Sequence, residues 1–139
     1  MINDVYKGIL AECKAVNPAA KAYKDNTPQN FTPPAFLVEL IDFTPTRSIN
    51  GKQKMSAQFD LQYFPDGVVT EYRTKCIQMQ EKLSRHFHIL EGSFYVKDRS
   101  FKVTDDVLHF QFTVDYTEAY IADEMPMQEM ETNTNLKED

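Results

Sequence analysis

Tryptophan is absent from this 139-residue chain, and glycine, histidine and cysteine are scarce, at four, three and two residues. Each shortage excludes a class of function. Gly8, Gly51, Gly67 and Gly92 are scattered, so neither a phosphate-cradling loop nor a dinucleotide-binding fingerprint exists. Two cysteines cannot build the disulfide framework of a small secreted domain, and a reducing compartment is expected. No apolar run approaches the roughly 18 residues of a membrane-spanning helix. The opening MINDVYKGIL lacks a basic stretch followed by a long apolar one, so no secretory signal is expected. Basic residues are outnumbered 15 to 21, for a net charge of −6. That balance argues against nucleic acid held by bulk charge and against an anionic membrane surface.

What the chain has is core material: 42% apolar residues, with 10 Phe and 7 Tyr. Its length suits one domain, able to bury about 68–70% of the surface its unfolded form exposes. The charge is uneven. Residues 123–139 hold six acidic side chains against Lys137 alone, a net of −5, which leaves −1 for residues 1–122. The expected organisation is a near-neutral single domain over 1–121 and an acidic, Met-containing extension over 122–139.

Ile2, Val5, Tyr6, Ile9, Leu10, Cys13 and Val16 recur at three- and four-residue steps and predict an amphipathic helix ending at Asn17-Pro18. Gly8 lies inside it at a cost of roughly 1 kcal/mol against Ala, which suggests close approach by a neighbour. Residues 24–34 (KDNTPQNFTPP) are turn chemistry. The apolar run Ala35–Phe43 reads as a strand. After a polar segment centred on Asn50-Gly51, Met55, Ala57, Phe59, Leu61 and Tyr63 alternate with polar residues in a second. Together they predict a long antiparallel hairpin over about 35–64, with Pro45 at a bulge or an edge. Its tip, TPTRSINGKQK, is polar and basic, too hydrophilic for a core, and is expected to project.

Pro65-Asp66-Gly67 breaks the strand. Val69, Tyr72, Cys76, Met79, Leu83 and His86 or Phe87 then mark one face of a second helix, with Glu91-Gly92 as its expected stop. Phe94–Val103 reads as a strand, Asp105-Asp106 as a turn. Leu108, Phe110, Phe112, Val114 and Tyr116 alternate with His109, Gln111, Thr113 and Asp115 in the clearest strand of the chain. The expected fold class is α+β: a mainly antiparallel sheet of about four to five strands in two hairpins, packed by two α-helices.

Chemistry is hard to find. His86 and His88 are two apart and point to different faces, so exposed or interface histidine is the reading preferred over a metal site with His109. Cys13 and Cys76 fall on apolar helix faces and read as buried thiols. Asp105-Asp106 reads as turn residues rather than a catalytic carboxylate pair. The basic face of the second helix is interrupted by Glu71 and Glu81 and lacks interleaved aromatics, which suits solvent or an interface better than nucleic acid. Met125, Met127 and Met130 are different: three methionines in six residues, outside any strand pattern, repack readily against a partner. No catalytic residue, metal ligand or cofactor is expected. A projecting hairpin and an adhesive tail point to assembly.

Taken together, several segments resemble the tail terminator (tail completion) proteins of long-tailed bacteriophages and phage-derived contractile particles. They are the helix from Ile2, the strand PPAFLVEL led by Pro33-Pro34, QFDLQYFP (Gln58–Pro65), DDVLHFQFTVDY (Asp105–Tyr116) and MPMQEME (Met125–Glu131). The resemblance covers nearly the whole chain in order, departing at Asp105-Asp106, where Asp-Gly is more typical. It implies a non-enzymatic subunit of a ring, expected to hold six copies, that caps the head-proximal end of the tail tube and stops its polymerisation. Such a ring joins the tail to the neck and anchors the last sheath layer where a sheath exists. The implied partners are other copies, the tail tube protein, and sheath and neck or connector proteins, with DNA at most passing through the lumen. The implied location is the tail of a virion or tailocin-like particle, after assembly in the bacterial cytoplasm. Arg47, Ile49, Asn50, Lys52 and Lys54 on the arm, with Met125, Met127 and Met130, are the candidate contact residues. The alternatives are a head-completion or connector neck protein and a small ligand-binding or enzymatic domain.

Overall fold

The computed structural model describes residues 2–26, 31–48 and 50–119. In chain order the elements are α1 (Ile2–Val16), β1 (Lys21–Lys24), β2 (Ala35–Arg47), β3 (Lys52–Phe64), α2 (Tyr72–His86), β4 (Ile89–Leu90), β5 (Phe94–Thr104) and β6 (Val107–Ala119). The six strands form a mixed, curled sheet in the order β1-β2-β3-β6-β5-β4. The α+β class and the two helices match the sequence reading. The strand count does not, and neither does a sheet of hairpins alone. The two additional strands, β1 and β4, span four and two residues, and β1 runs parallel to β2. Segments that short carry no hydrophobic period to read.

The chain divides into two compact units, residues 1–43 with 56–115, and residues 44–55 with 116–139. In the first, Val5, Tyr6, Ile9 and Cys13 of α1 and Cys76, Met79 and Leu83 of α2 are buried with alternate residues of β3 and β6. Phe59 and Phe112 stack at 5.7 Å, and Phe87, just past α2, meets Phe110 and Phe112 at 5.4 and 5.6 Å. Fully burying each such ring contributes about 1.5–3 kcal/mol, and each well-set ring pair a further 0.5–1.5 kcal/mol or so.

Gly8 explains itself. A Cβ built there would lie 2.8 Å from Leu90 Cβ, so α1 and β4 meet at a point only glycine allows. Where β1 ends, a helix side chain takes over from it. Asp25 N donates to Val38 O at 2.8 Å, and the part-buried hydroxyl of Tyr6 donates to Asp25 Oδ1 at 3.0 Å while accepting from the Leu40 N–H. Burial, then the hydrogen bond and charge of Asp25, push the Tyr6 pKa up to about 12.

Two details of α2 correct the expectation. The helix stops at His86, with Phe87 leaving helical geometry, and Arg99 of β5 donates to the Ser84 and Phe87 carbonyls at 2.8 and 3.3 Å. Its C-terminus is thus satisfied by a side chain from a distant strand. Glu91 and Gly92, both at positive φ, turn the chain between β4 and β5 instead. Val69 also leaves the expected buried face. It sits in a 3₁₀ turn, whose three residues per turn shift the phase, and is 64% exposed.

Candidate functional site

The arm is the part of the second unit described most fully. Asn50 and Gly51 both carry positive φ, 66° and 68°, and Ser48 N and Oγ both donate to Lys52 O, at 3.0 and 3.1 Å. A connection this short makes β2 and β3 an antiparallel hairpin, as the Asn-Gly dipeptide indicated. Pro45 lies in β2 beyond Val38, the last residue paired with β1, which suits an edge. From Thr44 to Ser48 every residue is exposed, as are Asn50, Lys52 and Lys54. Met55, half-wrapped by Gln53 (Nε2 to Sδ 3.4 Å), is the first buried one. Residues 44–55 hold Arg47, Lys52 and Lys54 and no acidic group, a local charge of +3. Backbone edges and three cations can recognise an acidic or strand-forming protein surface.

Arg47, Asn50, Lys52 and Lys54 are therefore brought together on one hairpin end. Ile49, Met125, Met127 and Met130 lie outside the described residues, as does the boundary expected between residues 121 and 122.

The first unit carries a second polar surface, on the sheet face turned away from the helices. Gln62 Nε2 donates to Glu39 Oε1 at 2.7 Å and to Asp60 Oδ2 at 3.2 Å, and His109 Nδ1 lies 3.2 Å from the same Asp60 oxygen. Asp60 is only 8% exposed, and its Oδ1 is buried with no hydrogen-bond partner among the described residues. An open cleft of about 470 Å³ beside it is lined by Ser100, Lys102, Thr104, His109 and Gln111. A His–carboxylate pair also serves structural roles, and no Ser, Cys or Lys is hydrogen-bonded to this one among the described residues. The two thiols lie on the helical side, and burial pushes both upward in pKa, away from the reactive thiolate. Among the described residues no group of three potential ligands could hold a metal ion, and no helix is long and apolar enough to cross a membrane.

Sequence reasoning missed one surface. The run Ala35–Phe43 is a strand as read, but in β2 Leu40, Ile41 and Phe43 are 36%, 47% and 40% exposed. The signal available was Glu39 and Asp42, two acidic residues breaking what is otherwise a core-like run.

None of the curated proteins compared with this chain matches it. A family model described as phage tail terminator protein matches residues 4–126, taking in all six strands, α2 and most of α1. With a match over most of its length, the chain belongs to the phage tail terminator family, a family of structural phage tail proteins.

Proposed function

We propose that six copies of this chain close into a ring that caps the head-proximal end of the tail tube. The ring ends tube polymerisation, joins the tail to neck or connector proteins, and holds the last sheath layer where a sheath is present. In this reading the chain is not an enzyme and takes no cofactor. Residues 1–121 are the ring-forming domain, and residues 122–139 are an extension that docks on a neighbour through Met125, Met127 and Met130. The arm supplies contacts through Arg47, Ile49, Asn50, Lys52 and Lys54. It assembles in the bacterial cytoplasm and ends in the tail of a phage or phage-like particle.

The observation that carries the reading is the family match over residues 4–126, joined to an exposed basic arm with no acidic residue in positions 44–55. Light scattering on the purified chain, alone and with tube protein, tests it together with electron microscopy of particles. The expected results are a closed oligomer and density at the upper end of the tube. A monomer under both conditions, or density at the portal instead, contradicts the terminator reading. Deleting residues 122–139 should weaken ring formation or docking and leave thermal unfolding of the remainder unchanged. An unaltered oligomer with unaltered docking removes the tail from the interface.

A further inference from the structure

The sheet of the first unit ends in two incomplete edges. On one side β1 pairs only with Ala35–Val38, and Tyr6 satisfies the Leu40 N–H. No described strand flanks Ile41–Phe43 on that side. On the other side β4 pairs only with Phe94 and Tyr95, and the Val96 N–H goes to His88 O. No described strand flanks Ser100–Thr104 on its outer side. Unpaired strand edges are templates for another chain, and proteins that must avoid such pairing blunt them. Here the blunting is selective. The β5 irregularity between Lys97 and Ser100, with Asp98 at φ 53°, interrupts the first half of that strand and leaves Ser100–Thr104 in regular pairing with Gln111–Val107.

We propose that β2 of one copy, over Ile41–Phe43, adds to β5 of the next copy, over Ser100–Thr104, so that the sheet continues from subunit to subunit. The inference rests on the ring reading above and names the surface that builds it. Three observations select this pairing. The two edges lie at opposite ends of one sheet, so joining them is head-to-tail, the kind of contact that generates rings. Their charges are opposite: Asp42 on the β2 edge, with Glu39 just before it, and Lys102 on the β5 edge. Pairing β2 with β2 or β5 with β5 would set like charges across the ladder, which is unfavourable. Finally, Leu40, Ile41 and Phe43 are exposed in the free subunit, and an added strand gives them neighbours to pack against.

Thiol cross-linking tests the pairing on the full chain. Ile41→Cys and Lys102→Cys variants are made separately and treated with a short bismaleimide, whose reach spans one step of register; Cys13 and Cys76 are fully buried. A covalent dimer is expected when the two variants are mixed and not from either alone. A dimer from Ile41→Cys alone indicates edge-to-like-edge pairing and overturns the inference. An oligomer by light scattering that gives no cross-linked dimer overturns it too, while leaving the ring reading intact. A monomer in every condition, tube protein included, overturns both. A second arm uses charge. Glu39→Lys with Asp42→Lys should weaken association by on the order of tenfold, and adding Lys102→Glu should recover most of it. No recovery, with folding intact by circular dichroism, counts against the pairing.

Discussion

Replacing Gly8 with alanine sets two well-known effects against each other. Alanine is the better helix former by about 1 kcal/mol, so at an open site in α1 the change would stabilise the protein. Gly8 is not open. The added Cβ would lie 2.8 Å from Leu90 Cβ, 3.2 Å from Glu91 Cγ and 3.6 Å from the Leu90 carbonyl carbon. Carbon atoms in contact prefer about 3.5–4.0 Å, so the first distance is too short by nearly an ångström. The Glu91 side chain can swing aside, but Leu90 Cβ is fixed to the backbone of a fully buried residue. Relief therefore requires α1 and β4 to separate, and overpacking of this kind costs about 1–3 kcal/mol. The net expectation is a loss of about 1 kcal/mol, or roughly 2–4 °C in melting temperature for a chain of this size. Urea unfolding followed by far-ultraviolet circular dichroism suits a protein without tryptophan. The background supplies the decisive control. In Leu90→Ala the Cβ remains and the Gly8→Ala cost should persist. In Leu90→Gly it should vanish and leave the helix-propensity gain. If Gly8→Ala stabilises the otherwise unaltered protein by the full 1 kcal/mol or so, α1 and β4 are not packed this closely.

Other perturbations follow from the same geometry. Tyr6→Phe removes a part-buried hydroxyl shared by Asp25 and Leu40 and should cost about 1 kcal/mol near neutral pH. Because the folded pKa is raised from 10.0 to about 12, the phenol's stabilisation is fully present below pH 10 and is lost as pH rises to about 12. Wild type should therefore lose more stability than Tyr6→Phe across that window in alkaline denaturation, and equal losses would refute the assignment. Phe112→Ala opens a cavity where Phe59, Phe87 and Phe110 converge, with an expected loss of about 3–5 kcal/mol in urea unfolding. Lys52→Glu with Lys54→Glu alters only exposed positions, so unfolding should shift by less than about 0.5 kcal/mol while assembly weakens. A change in stability without a change in assembly would reverse that reading.

Much of the fold is legible from one-dimensional patterns, and the exceptions share a cause. The alternation of Phe59, Leu61 and Tyr63 and of Leu108, Phe110 and Phe112 marks strands because one face is buried against helices and the other is not. Asn50-Gly51 marks the hairpin end because both residues tolerate positive φ. β1 and β4 are illegible because backbone pairing with β2 and β5, not their own side chains, makes them strands. The end of α2 is misread at Glu91-Gly92 because its carbonyls are satisfied by Arg99, 12 and 15 residues along the chain from Phe87 and Ser84. For the candidate site, the basic arm is visible as polarity where a core would be apolar. The exposed edge is invisible for the opposite reason. Leu40, Ile41 and Phe43 have the composition of buried residues, and sequence cannot distinguish a residue covered by its own chain from one left uncovered.

Tyr6 also has a bearing on timing. Its hydroxyl holds the Leu40 N–H only while α1 is folded against the sheet and Asp25 is in place to accept. The first backbone position of β2 open to a newcomer is thus defined by a helix that comes from the start of the chain. Because side chains alternate across a strand, a partner entering one residue early or late would present the wrong face along its whole length. In the proposed pairing this phenol would act as a ruler, and a subunit whose first helix has not docked would offer an edge of a different length. In that pairing the same bond would count against the incorporation of half-folded copies.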